Sequence, residues 1–185
     1  MSFLKKNKNS FIRILKNFSF EKEIILTSEL FKECNSSNNK IVFLGNGGSA
    51  SIASHVSVDL TKNAKIRSIN FNEPDLITCF ANDFGHENWM SEALKMYCDY
   101  NDLIVLISSS GKSKNIVNAA KWCAKSNLKF ITFTGNSSNN PLKKINKGGI
   151  NFWINSKAYN HIELAHLFIL LSIVDLLIGK NIYKP

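Results

Sequence analysis

The chain has 4 cysteines, Cys34, Cys79, Cys98 and Cys123, and no two of them form a Cys-x-x-Cys pair. Scattered single thiols of this kind suit a reducing compartment. The N-terminus also lacks the apolar core and cleavage site of a secretory leader, so a cytoplasmic protein is expected. No membrane-length run is free of polar groups: the longest apolar stretch, Ile162 to Ile178, is interrupted by Glu163, His166, Ser172 and Asp175. It reads as a helix buried on most of its faces, and no membrane partner is expected. No stripe of arginine interleaved with aromatics exists, which argues against a nucleic-acid groove. A low-complexity linker is missing as well, so one domain over residues 1–185 is expected.

What is present suits a packed core and an anionic ligand. Hydrophobic residues make up 44% of the chain, and 23 basic against 14 acidic residues give a formal charge of +9. That surplus steers anions without naming one. The first 38 residues carry a spaced apolar pattern through Phe11, Ile12, Leu15 and Phe18, then Ile24, Ile25, Leu30 and Phe31, which predicts one or two amphipathic helices. From residue 40 to 178, strand candidates at 41–44, 66–71, 102–107, 128–133 and 150–154 alternate with helix candidates near 50–62, 86–98, 113–126 and 160–178. This alternation predicts an α/β fold, a three-layer α/β/α sandwich around a parallel sheet.

Two polar loops follow strand candidates. Gly45-Asn46-Gly47-Gly48-Ser49 follows the first, and Ser108-Ser109-Ser110-Gly111-Lys112-Ser113 follows the third. Each stands at a strand-to-helix turn, where unpaired N–H groups and the helix dipole attract an anion and glycine admits close backbone approach. Each could also be a tight turn and no more. Neither has the spacing of a nucleotide fingerprint, so a small phosphorylated metabolite fits better and no nucleotide cofactor is expected. A third loop, Ala81-Asn82-Asp83-Phe84-Gly85, is expected at the same rim. Its Asn82 and Asp83 could orient sugar hydroxyls or serve ordinary turn chemistry.

Acid–base groups occur as two helical pairs: His55 with Asp59, four apart, and Glu163 with His166, three apart. They could bind a divalent ion or move protons on a sugar phosphate; equally, the first pair could simply bond on a helix face and His166 could be a core histidine. Glu163 is flanked by Ile162, Leu164, Ala165, Leu167 and Phe168, and burying it without a partner would be costly.

In order and spacing, Gly45 to Ala50, His55, Asp59, Ala81 to Gly85, Ile107 to Ser113 and Thr132-Phe133-Thr134-Gly135 resemble the sugar isomerase (SIS) domain family, in particular its phosphoheptose isomerase branch. The resemblance implies a five-stranded parallel sheet and a homotetramer, or a dimer, with sites between subunits. It also implies conversion of sedoheptulose 7-phosphate to D-glycero-D-manno-heptose 7-phosphate for lipopolysaccharide or surface-glycan heptose. Substrate contacts are carried over onto Asn46, Gly47, Gly48, Asn82, Asp83, Ser108, Ser109, Ser110 and Ser113, and Ser49 is expected to join these serines in fixing the phosphate. Such enzymes hold zinc with a His, a Glu, a Gln and a second His; His55 matches the first, Asp59 the Glu and Glu163 the Gln. The second His falls on Leu171, which can neither ligate nor transfer a proton, so His166 is expected to supply the imidazole. Asp59 or Glu163 is then the base, and His55, Asp59 and Glu163 are the metal candidates. A non-catalytic SIS regulator, of the kind that binds a replication initiator, and an isomerase of another phosphosugar remain alternatives.

Overall fold

The short β-branched and aromatic runs form strands because both of their faces are covered. In the computed structural model, which describes residues 2–182, α1 (Phe3–Lys16) and α2 (Glu21–Ser36) precede β1 (Ile41–Leu44), α3 (Gly48–Lys62) and β2 (Ser68–Asn70). Then come α4 (Pro74–Phe84), α5 (Trp89–Tyr97), β3 (Leu103–Ser108), α6 (Lys114–Lys125) and β4 (Phe130–Gly135). The chain continues through α7 (Pro141–Ile145) and β5 (Asn151–Ile154) to α8 (Tyr159–Ile178). Met1 and residues 183–185, included in the single-domain reading, lie outside the described residues.

The strands make one parallel 5-stranded sheet in the order β2-β1-β3-β4-β5. Every residue of β1 and β3 is buried, which is why neither shows polar alternation. Pairing of Ile41 with Leu103 through Leu44 with Leu106 brings their carboxyl ends out side by side. At the opposite end Asp102, 1% exposed, accepts from the Lys40 backbone N–H at 2.9 Å and pairs with Lys40 Nζ at 2.7 Å, which pins that register. One face of the sheet packs Phe43, Val105 and Phe133 against α2, α3 and α8. The other packs Val42, Ile104 and Leu106 against α5, α6 and α7.

Two helices depart from the sequence expectation. Residues 81–85 are not a loop: they complete α4, which opens on Pro74 with Asp75 in its first turn and ends at Gly85, where φ is 80°. The short α7 likewise starts on Pro141, capped by Asn140 Oδ1 accepting from the Lys143 N–H at 2.9 Å. α8 has the length and mean hydropathy, 2.0, of a membrane span. Here its Ile162, Ala165, Ile169 and Ile173 are in the core against α2 and α3, so the apolar character serves packing.

Candidate active site

The crevice follows from the sheet order. From β1 the chain turns to β2 on one side and later returns to β3 on the other, so the loops after β1 and β3 diverge at a topological switch point, the usual place for a ligand in an open parallel sheet. Gly47 caps α3 with a φ of 55°, a backbone state that glycine adopts without strain. Asn46 Nδ2 donates to Asn115 Oδ1 at 2.9 Å and Asn115 Nδ2 donates back to Asn46 Oδ1 at 2.9 Å, so the first loop is tied to the head of α6.

The second loop folds on itself. The Gly111 N–H donates to Ser108 O at 2.9 Å, Ser108 Oγ donates to Ser113 Oγ at 3.2 Å, and the Lys112 N–H donates to Ser110 Oγ at 3.2 Å. Because Ser113 is engaged by Ser108, it makes no side-chain cap on α6, and no acidic residue occupies that first turn. The Ile116 N–H donates to Asn115 Oδ1 at 3.0 Å, which leaves the Lys114 and Asn115 N–H groups for an outside acceptor. Ser109 is 6% exposed and its buried hydroxyl has no partner among the described residues. Ser49 and Ser108, 3% and 4% exposed, are nearly as deep. A cleft of about 480 Å³ opens beside this junction, lined by Asn46, Ser113, Lys114 and Asn115 together with Phe84 to Asn88. Its size is in the range of small-ligand pockets, roughly 300–1,000 Å³.

Asn82 and Asp83 do not line this cleft. They sit exposed in the last turn of α4, where Asn82 Nδ2 donates to Asp83 Oδ1 at 2.9 Å, because a helix rather than a rim loop carries them.

The second set of groups lies along the seam between α3 and α8. The Glu163 carboxylate presses on Gly48, and a Cβ at that position would collide with its oxygens, so the glycine turn and the head of α8 require each other's shape. His55 Nε2 and Asp59 Oδ2 are 3.5 Å apart, with side chains 57% and 21% exposed, and Asn63 Nδ2 donates to Asp59 Oδ1 at 3.2 Å. Burial, and then the nearby Asp59 charge, push the Asp175 carboxyl above the usual carboxylate range. His55 is seven residues along α3 from Gly48, about 10 Å at the helical rise, so Glu163 and the His55–Asp59 pair occupy different levels of the seam.

Zinc sites take three or four protein ligands, and among the described residues no group of three or more His, Cys, Asp or Glu side chains converges. Leu171, half-buried, packs on the core.

His166 must be withdrawn as the proton donor. It is 0% exposed, its Nε2 lies 3.0 Å from Thr134 O, and its ring meets Phe133 edge-on at 5.5 Å. Burial lowers its pKa to about 4, outweighing the raising effect of the Thr134 carbonyl, and holds it neutral. Glu163 and His166 are three residues apart, which leaves an angle of about 60° between them around the helix. That turn is enough to aim one at α3 and the other at β4. His161 is also buried, with Nε2 2.9 Å from Asn7 Oδ1. Sequence reasoning missed Asn115; no local pattern pairs it with Asn46, whose alignment depends on strand pairing.

Comparison with known proteins agrees with this architecture. A family model described as the SIS domain matches residues 6–135. A phosphoheptose isomerase of Buchnera aphidicola subsp. Acyrthosiphon pisum is 31% identical over 182 residues, covering 88% of this chain and 91% of that protein. The structure of a phosphoheptose isomerase from Neisseria gonorrhoeae superposes with a TM-score of 0.86 at 21% identity, covering 94% of this chain and 97% of that one. One from Francisella tularensis gives 0.85 at 22% identity, covering 97% and 100%. At such identities the two structures establish the shared fold.

Proposed function

The chain belongs to the SIS domain family, and we propose that it is an aldose–ketose isomerase interconverting sedoheptulose 7-phosphate and D-glycero-D-manno-heptose 7-phosphate. The supply of heptose for lipopolysaccharide or another surface glycan would be its role. The observation that carries the phosphosugar part is the joined rim: the Asn46–Asn115 exchange locks two helix N-termini together, with an uncapped α6 and the unpartnered Ser109 hydroxyl beside it. Such a cluster of donors suits a phosphate. The choice of sugar rests on the likeness to the Buchnera protein.

In this reading the phosphate is held by Ser108, Ser109, Ser110, Ser113 and the turn Asn46 to Ser49, which fixes the sugar for proton transfer. A base removes a proton from C1 of the ketose while the C2 carbonyl oxygen takes one from an acid, giving an enediol. The O1 hydroxyl then returns its proton as the C1 carbonyl forms, and C2 receives a proton from the base. Glu163 is the carboxylate nearest the glycine turn and is assigned the base; Asp59 would reach a rim only across a contact with another copy. Such a contact has a surface: α8 exposes Leu164 and Phe168, 50% and 49%, and α3 exposes Val58, 59%. A homotetramer with sites between subunits is proposed on that account, and light scattering measures it. A zinc ion would take His55 and Asp59 and need a further donor from a second copy; no step above depends on it.

The spread of acid–base groups along the seam favours a second reading, a regulator that binds the phosphosugar without turnover. Incubating the purified protein with sedoheptulose 7-phosphate, with and without zinc, separates the two. Formation of the aldose phosphate is expected, and saturable binding without turnover under both conditions would establish the regulator.

A further inference from the structure

The cleft beside the phosphate loops has a second wall, and nothing in the motif pattern accounts for it. That wall is the short connection from α4 to α5, Gly85 to Asn88, and His86 is its imidazole. The connection is braced against α6: Asn118 Nδ2 donates to Glu87 O at 2.9 Å and to Asn88 Oδ1 at 3.1 Å, and Lys114 Nζ stands 3.7 Å from Glu87 Oε2. The brace holds His86 facing the same cavity as Ser113, Lys114, Asn46 and Asn115.

The chain has 4 histidines. His161 and His166 are buried on partners, and His55 lies beside Asp59 on α3. His86 is exposed and lines the cleft. Charge points the same way. The α6 first turn supplies the N–H groups of Lys114 and Asn115, that of Ile116 being taken by Asn115 Oδ1, and Lys114 adds a cation, while the one carboxylate of the lining, Glu87, is already set toward Lys114. A dianion entering beside Ser113 meets donors from the helix and, from the α4–α5 connection, an imidazole with ring nitrogens that hydrogen-bond.

We propose that His86, assisted by Lys114, binds the phosphate of the substrate from the side opposite the serine loop, closing the cradle into a clamp. The inference rests on the sugar-phosphate reading of the rim and adds to it a residue and a direction of contact. His86 acts here in binding, so its loss is read in KM and in phosphate affinity before kcat.

The test uses the full chain and two probes, inorganic phosphate by calorimetry and sedoheptulose 7-phosphate by turnover. At pH 6.5, His86→Gln is expected to weaken phosphate binding and raise KM together, by about five- to tenfold, with a smaller change in kcat. His86→Arg, which puts a hydrogen-bonding guanidinium at the same place, is expected to recover both, and the melting temperatures of the two variants should match that of the parent. Equal phosphate affinity in the parent and His86→Gln, or no phosphate binding by the parent, would overturn the clamp. So would failure of His86→Arg to restore binding, or loss confined to kcat. If phosphate affinity follows the variants as expected but no sugar phosphate is turned over, the clamp stands and the isomerase assignment falls.

Discussion

At the rim, two asparagines exchange amide hydrogen bonds and Ser108 Oγ donates to Ser113 Oγ at the head of α6, whereas along the α3–α8 seam the ionisable groups are strung out over about two helical turns. Both regions are built from helices that follow strands, yet only the rim is gathered within one chain. Phosphate binding uses backbone N–H groups and short hydroxyls, which a helix start supplies in one place. Proton transfer needs particular side chains within hydrogen-bond reach of the same two carbons, and parallel helices space such groups by 1.5 Å per residue. One strand crossing is enough for the first task; the second depends on what else is brought to the seam.

The contrast can be broken at either end. The largest effect is expected from Glu163→Gln, which keeps the shape against Gly48 and removes the base: kcat should fall by about 10²–10⁴, with inorganic phosphate affinity changed less than about twofold. Comparable loss of phosphate binding by calorimetry would mean that rim and seam are one unit.

His166 tests whether the imidazole of α8 serves stability. In the fold it stays neutral until about pH 4, whereas its ordinary value is 6.5. The unfolded chain therefore takes up the proton first as pH falls. The contribution is whole above pH 6.5, declines through the interval down to about 4, and is worth on the order of 3 kcal/mol. Urea unfolding at pH 7 and pH 5 should show that decline in the parent and a shallower one in His166→Gln, whose glutamine cannot titrate. An unchanged slope in the variant would remove His166 as its source.

The smallest effect sharpens the rim. Asn46→Ala leaves the buried Asn115 amide without its partner, and a loss of about 1–3 kcal/mol in unfolding free energy is expected together with weaker phosphate binding. Loss of stability with phosphate affinity intact would show that the asparagine pair supports the fold without shaping the cradle.

Much of this was legible. β1 occupies 41–44 as its Ile-Val-Phe-Leu run predicts, and β3, β4 and β5 fall within two residues of their expected bounds, because a strand buried on both faces must be continuously apolar. The strand expected at 66–71 contracts to Ser68–Asn70, at an edge where only β1 offers hydrogen bonds. Residues 81–85 read as a loop because Asn82-Asp83 before Gly85 has the composition of a turn, whereas Pro74 and Asp75 carry the start of the helix that they complete. The same loss of perspective affected His166: spacing by three placed it on a shared face with Glu163, and only the packing of β4 beneath α8 shows that the two point apart.

The sequence by itself determined the layered α/β architecture and the position of both polar loops, since apolar periodicity and glycine at helix starts are local properties. Tertiary structure alone decided that Asn46 meets Asn115, that Glu163 rests on Gly48 while His166 lies under Thr134, and that His86 lines the same cleft as Ser113. Those meetings join residues distant along the chain, and they depend on strand register, helix rotation and the depth of burial, none of which a local pattern encodes.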